Sequence, residues 1–215
     1  MEQHTVFDWA RGQRTGVPEV VFAEGKTNAQ LLDILEAHEL RSEPLLFTRL
    51  KDDQLDLLAQ RDLKIETEAR TAVFKSPKID EDAPRLAVVT AGTSDLPVAL
   101  ESKVTAQFFG MNATLYADVG VAGLWRVQRI LPELITMDLV IAVAGMEGAL
   151  FSVLAGLVPS AVIAVPTSVG YGMAEGGRAA LASALSGCAP GLVTVNIDNG
   201  FGAAAAARKL LRHRF

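Results

Sequence analysis

Leu86-Ala87-Val88-Val89-Thr90-Ala91-Gly92-Thr93-Ser94-Asp95-Leu96-Pro97 carries the pattern from which the rest of the chain can be read. Leu86–Ala91 is a short β-branched-rich run and reads as a strand. Gly92 reads as a turn, and Ser94 opens a helix-length segment that reaches Phe109. The same unit recurs downstream. Strands are expected at Ala113–Ala117, Leu139–Ala144, Ala161–Val165 and Leu192–Ile197. Helices are expected at Gly123–Leu134, Glu147–Leu157 and Met173–Ser186, with a closing helix at Ala203–Arg212. Strand then helix, five times over, predicts an α/β fold: a doubly wound parallel sheet with right-handed crossovers over residues 85–215.

Charge divides the chain in the same place. Residues 1–84 hold 11 Lys+Arg against 17 Asp+Glu, whereas residues 85–215 hold 9 against 8. Between Leu139 and Ile197 only Glu147, Glu175 and Arg178 are charged. A parallel sheet buried on both faces produces such apolar runs. Gly148 to Ala174 carries no charge, yet Gly156, Pro159, Pro166, Gly170 and Gly172 interrupt it, so no apolar run has the length of a spanning helix. A net charge of −5 offers no basic footprint for nucleic acid. His4, His38 and His213 lie far apart, and a single cysteine makes neither an intramolecular disulfide nor a zinc cluster. Met1 to Arg14 lacks the apolar core of a signal peptide, so a soluble cytoplasmic protein is expected.

Residues 1–84 read as a small α+β appendage. Strands are expected at Glu19–Ala23 and Pro44–Arg49, with a helix at Thr27–Leu40 between them. Leu31, Leu32, Leu35 and Leu40 are taken as that helix's apolar face. A second helix is expected at Asp52–Gln60, then a hairpin of Lys64–Glu68 with Thr71–Lys75. The polar, proline-punctuated stretch Ser76–Pro84 reads as a linker.

Ligands of open parallel sheets bind at the carboxyl ends of the strands. Three strand ends stand out. Ala91-Gly92-Thr93-Ser94-Asp95 pairs a glycine turn with a helix start, an anion site by its N–H groups and dipole; Ser and Asp are also ordinary N-caps. Ala144-Gly145-Met146-Glu147-Gly148 places one carboxylate in an apolar stretch. Glu147 suits a metal or a proton there, or simply the helix dipole. Pro166-Thr167-Ser168-Val169-Gly170-Tyr171-Gly172 reads as a mobile substrate loop. Cys188 lies in Gly187-Cys188-Ala189-Pro190-Gly191. A lone cysteine is most often a small buried hydrophobe, yet this small-residue loop between a helix and a strand is a less expected place for a core residue, so spacing leaves both that and a reactive thiol open.

These motifs, with Asp118-Val119-Gly120-Val121-Ala122-Gly123 and Val195-Asn196-Ile197-Asp198-Asn199-Gly200-Phe201-Gly202, occur in an order that resembles the LarB family. LarB proteins are pyridinium-3,5-biscarboxylic acid mononucleotide synthases of nickel-pincer cofactor biosynthesis, related to PurE, the N5-carboxyaminoimidazole ribonucleotide mutase. The likeness covers residues 85–215 and reaches into the appendage through Arg14–Lys26. Two departures stand out. Trp125 occupies a position where LarB-like chains usually carry histidine, and the N-terminal stretch is short.

The resemblance implies a PurE-like sheet and a cytoplasmic enzyme. It would carboxylate the pyridinium of nicotinic acid adenine dinucleotide with CO₂ and hydrolyse the phosphoanhydride. By the same likeness Cys188 adds to the ring, and Ser94 with Asp95 holds the nicotinate half and assists proton removal. Glu147 is the candidate ligand for Mg²⁺. Gly92, Thr93, Gly145, Met146, Gly148, Ser168 and Arg126 are candidates for substrate and phosphate contacts. PurE-like carboxyl transfer on an aminoimidazole ribonucleotide is the near alternative, against which stand Cys188 and the lack of a PurE-type Ala-His-Arg. A non-catalytic nucleotide-binding regulator is the distant one. Topology adds one constraint: a loop after a helix and before a strand sits at the edge opposite Asp95. Cys188 therefore needs either an irregular crossover before it or a site completed by a second subunit. PurE-like proteins being typically octamers, a homo-octamer is expected.

Overall fold

The computed structural model describes residues 6–215; His4 lies outside them. Two sheets form. The smaller one collects β1 (Val21–Phe22), β2 (Leu45–Thr48), β3 (Lys64–Glu66) and β4 (Thr71–Phe74) in the order β1-β2-β4-β3. β1 and β2 are parallel, joined by α2 (Asn28–Arg41), and β3–β4 is an antiparallel hairpin. A short α1 (Arg11–Thr15), not foreseen in the sequence, precedes this unit, and α3 (Asp52–Leu58) follows β2.

Thr27 starts α2 through a capping box with Gln30. The buried face of α2 is Leu31, Ile34, Leu35 and His38, while Leu40 is 89% exposed. This corrects the expected stripe. Nine residues separate Leu31 from Leu40, which is half a turn out of phase at 100° per residue. All residues of β2 and β4 are buried because both faces are covered. Leu45 and Phe47 pack into a core with α2 and α3, and Leu46 and Val73 join the core of the second sheet.

That second sheet has five parallel strands: β5 (Arg85–Thr90), β6 (Asn112–Tyr116), β7 (Leu139–Ala144), β8 (Ala161–Pro166) and β9 (Leu192–Thr194), ordered β6-β5-β7-β8-β9. The chain leaves β5 to one side and returns to β7 on the other, so the topological switch lies between β5 and β7. α4 (Leu96–Phe108) and α8 (Gly200–Leu210) cover one face together with Leu86, Val88, Ile141 and Ile163. α5 (Trp125–Leu134), α6 (Ala149–Ala155) and α7 (Arg178–Ser186) cover the other, against Ala87, Val89, Val140 and Val162. The expected doubly wound α/β sheet is present.

Several element ends differ from expectation, three of them next to the strand-end loops. α6 starts at Ala149, two residues late, because Met146 (φ 53°) and Gly148 (φ 64°) make a left-handed turn first. The helix expected from Met173 begins only at Arg178, since Gly176 and Gly177 adopt positive φ and break it. β9 stops at Thr194, short of Ile197. Beyond it the chain turns so that the Asp198 N–H donates to the Pro166 carbonyl at 2.8 Å. Among the described residues no helix is long and apolar enough to cross a membrane.

Candidate active site

Asp95 is the centre around which the carboxyl edge of the large sheet is organised. It lies in a 3₁₀ turn, Thr93–Asp95, between β5 and α4, and is only 3% exposed. One carboxylate oxygen accepts from Thr167 Oγ1 at 2.7 Å, just past β8, and the other from the Gly92 N–H at 2.9 Å. Gly145, just past β7, faces the same carboxylate through its N–H. A side chain at Gly145 would meet Thr167 Oγ1 at 2.7 Å and Val169 Cβ at 2.9 Å, so the turn after β7 closes tightly on the loop after β8. One carboxyl group thus ties three strand ends together. Burial pushes its pKa above the usual carboxylate range, and the charge of Asp198 adds to that. The hydrogen bonds from Thr167, Gly92 and Gly145 oppose it without cancelling it. Such a group exchanges a proton at a higher pH than a surface aspartate.

Beside it opens a cleft of about 290 Å³ between the two sheets. Ser94, Ser168 and Asp198 line one wall, and Arg49 and Arg70 of the N-terminal unit line the other. Asp198 holds its place by accepting from the Ser168 N–H at 2.8 Å, while its carbonyl accepts from the Arg49 guanidinium. Glu101 of α4, buried, accepts from Thr48 Oγ1 and from the Phe201 N–H at 3.2 Å, and pairs with Arg49 Nε at 3.5 Å. These contacts fix the small sheet against the edge that holds Asp95.

Ser94 and Ser168 both reach this cleft, and Thr93 is exposed beside Ser94. The base of the loop read as mobile is fastened instead. Thr167 is buried on Asp95, Ser168 is held by Asp198, and the Val169 carbonyl accepts from the Met146 N–H at 2.8 Å. The glycine turns expected to meet phosphate use several of their N–H groups within the fold. Gly92 donates to Asp95, Met146 to Val169 and Gly148 to the Gly145 carbonyl at 3.0 Å, so these N–H groups are already engaged. Arg126 does not line the cleft; it pairs with Asp118 at 2.7 Å in the loop after β6. Glu147 is exposed in the turn before α6, and no group of three or more His, Cys, Asp or Glu is placed to hold a metal among the described residues. A lone carboxylate fits a metal delivered by substrate phosphates, not a resident metal centre.

Cys188 is exposed in the loop between α7 and β9. That loop lies at the amino edge of the sheet, where the Gly191 carbonyl accepts from the Val162 N–H at the start of β8. Thr167 follows the other end of β8. The six residues of that strand span roughly 20 Å, so within one chain the thiol and Asp95 are apart.

Thr167, Asp198, Glu101, Arg49 and Arg70 were not singled out in the sequence. The first two sit inside quoted glycine motifs; the other three carry no local signal.

Residues 2–76 match the LarB/PurE-like N-terminal domain, and residues 85–214 match the AIR carboxylase family. The chain belongs to the LarB/PurE-related family. An uncharacterized protein of Methanocaldococcus jannaschii is 38% identical, over 94% of this chain and 82% of its own. Among solved structures, Treponema denticola PurE aligns over 60% of this chain and 81% of its own at a TM-score of 0.50 and 22% identity. A variant of the Treponema protein aligns over 61% of this chain and 81% of its own at a TM-score of 0.51 and 22% identity. At that identity the likeness is one of fold, and it is the PurE-like fold. In this LarB/PurE-related chain the first match covers the small sheet and the second the parallel sheet, so the cleft is lined from both.

Proposed function

We propose that the protein carboxylates the pyridinium ring of nicotinic acid adenine dinucleotide with CO₂ and hydrolyses the phosphoanhydride. The products are pyridinium-3,5-biscarboxylic acid mononucleotide and AMP, for nickel-pincer cofactor assembly. The observation that supports this most is the accessibility of Cys188, the only thiol in the chain. An electron-poor pyridinium does not attack CO₂. Addition of the Cys188 thiolate to C4 gives a neutral dihydropyridine whose C5 is enamine-like. C5 then forms a bond to CO₂, leaving a cationic ring with a carboxylate and a hydrogen on C5. Loss of that proton to Asp95 and departure of the thiolate from C4 restore the pyridinium. Cysteine is both a strong nucleophile and a competent leaving group, and a buried carboxyl of raised pKa suits the proton. Ser94 and Ser168, on the cleft wall, bind the nicotinate half.

The separation of Cys188 from Asp95 supports a homo-oligomer as the working form, an octamer on the family likeness, with the thiol supplied by a neighbouring subunit. Leu185 and Val193, 69% and 48% exposed, flank the Cys188 loop and give that neighbour apolar surface to cover. Incubation with the dinucleotide, Mg²⁺ and bicarbonate, followed by mass spectrometry, tests the reading. Gain of one CO₂ on the ring together with AMP is expected. An unchanged dinucleotide, with carboxyl transfer on an aminoimidazole ribonucleotide instead, would replace it with the PurE-like reaction.

Glu147 is the residue that would hold Mg²⁺ brought in by the substrate's phosphates, and the ion would supply neutralisation of phosphate charge there. Glu147→Gln should then weaken Mg²⁺-dependent binding of the dinucleotide several-fold more than binding of nicotinic acid mononucleotide. Equal losses for the two ligands in calorimetry would reduce Glu147 to a helix-start residue.

A further inference from the structure

We infer that the N-terminal sheet carries half of the ligand-binding site: Arg49 and Arg70 form an oxyanion receptor on the wall of the cleft facing Ser94 and Ser168. Both arginines line that cleft. Arg49 follows β2 and Arg70 precedes β4, and the two turns are stitched together. The Leu50 N–H donates to the Arg70 carbonyl at 3.0 Å, and Arg70 Nε donates to the Leu50 carbonyl at 2.6 Å. Both residues hold a left-handed backbone, φ 58° and 54°, which is unfavourable for a long side chain such as arginine. Two adjacent arginines in that conformation, aimed into one cleft, need a reason.

Docking of the two sheets explains Arg49 only in part and Arg70 not at all. Arg49 is pinned from the far side by the Glu101 carboxylate and the Asp198 carbonyl. Arg70 touches nothing of the parallel-sheet unit by hydrogen bond among the described residues; its guanidinium is held by the Leu50 carbonyl and by Asp52 at 2.6 Å, and its side chain stays 46% exposed. A guanidinium has five N–H donors, and each of these uses one or two. The remainder form a preset fork of the kind that takes a carboxylate or phosphoryl group. Asp198 does not fill it, because its carboxylate turns to the Ser168 N–H, and Glu101 meets Arg49 only at Nε while also accepting from Thr48 and the Phe201 N–H. The inference uses the proposed function only for the identity of the ligand, whose nicotinate carboxylate and phosphate are both oxyanions.

Calorimetric titration of the full chain separates the two. The probes are nicotinic acid mononucleotide, nicotinamide mononucleotide and inorganic phosphate. The proteins are the wild type, Arg70→Gln, Arg49→Lys and, as a control outside the cleft, Arg61→Gln, with melting temperatures recorded for each. Arg70→Gln should lose at least tenfold in affinity with only a small drop in melting temperature from the lost bonds to Leu50 and Asp52, and Arg61→Gln should lose no affinity. Arg49→Lys, which keeps the charge but not the fork, should fall between them. Loss on both mononucleotides assigns the fork to the phosphate; loss on the nicotinic acid form alone assigns it to the ring carboxylate. Arginine-dependent binding of phosphate with no binding of either mononucleotide keeps the receptor and overturns the proposed substrate. Affinities for every probe within twofold of wild type in Arg70→Gln and Arg49→Lys, or a wild type that binds none of them, overturns the receptor.

Discussion

Asp95 shows what a single residue does in this fold and how much of it a sequence discloses. Its position after a glycine turn at a strand end marked it, but Thr167, its hydroxyl partner 72 positions away, could not be paired with it from spacing. Burial holds the Asp95 carboxyl above the unfolded value of 3.8, so the folded chain binds that proton more tightly than the unfolded one. The stabilisation that follows is complete below 3.8 and is lost as pH rises through the folded-state pKa. The melting temperature of the wild type minus that of Asp95→Asn should therefore fall as pH rises across that window. A difference that is flat or rises with pH would contradict the burial argument. In the carboxylation assay the same substitution should cost about 10²–10⁴-fold in rate, the range of a lost general base. The melting series then shows whether the fold survives.

Helices and strands were legible to the degree that one physical signal dominated them. β5, β7 and β8 are buried along almost their whole length, so each appears in the sequence as an apolar run within a residue of its true limits, whereas β6, at the sheet edge, is half exposed. Helix starts were less legible, because Met146 and the Gly176–Gly177 pair adopt left-handed conformations that no periodicity announces. The contact between α4 and α8 was invisible for a different reason: it depends on a missing side chain. A Cβ on Gly200 would press on the Val98 carbonyl and come within 2.8 Å of Glu101 Oε2 and 3.0 Å of the Ser102 amide nitrogen. Ser102 Oγ also donates to the Gly200 carbonyl at 3.0 Å, which leaves little room for a shift. Gly200→Ala should destabilise the fold by about 1–3 kcal/mol, the cost of overpacking a close contact. The disturbance should reach Glu101 and thereby the seat of Arg49. A urea midpoint equal to that of the wild type would show that α8 moves away freely.

At the scale of the whole molecule, the sequence placed Cys188 and Asp95 on opposite edges of one sheet, and the structure keeps them there. The crossover before the thiol offers no escape, since the loop holding Cys188 leads directly into β9 beside the start of β8. What the sequence did not disclose is that the small sheet is part of the cleft, because Arg49 and Arg70 sit in a charged segment with no motif around them. A site built from the two sheets of one chain and the Cys188 loop of another has a consequence that a monomeric enzyme cannot imitate. Cys188→Ala and Ser94→Ala should each be inactive, and neither disturbs the core, because both residues are exposed. Mixed in equal amounts, dissociated and allowed to reassemble, the two variants should recover roughly a quarter of wild-type activity, since that share of shared sites would pair an intact Ser94 with an intact Cys188. Light scattering on the same samples gives the size of the active species. No recovery from a reassembled mixture, or full turnover by a monomer, would place thiol and carboxyl in one subunit and require a rearrangement of the loop that now holds them apart.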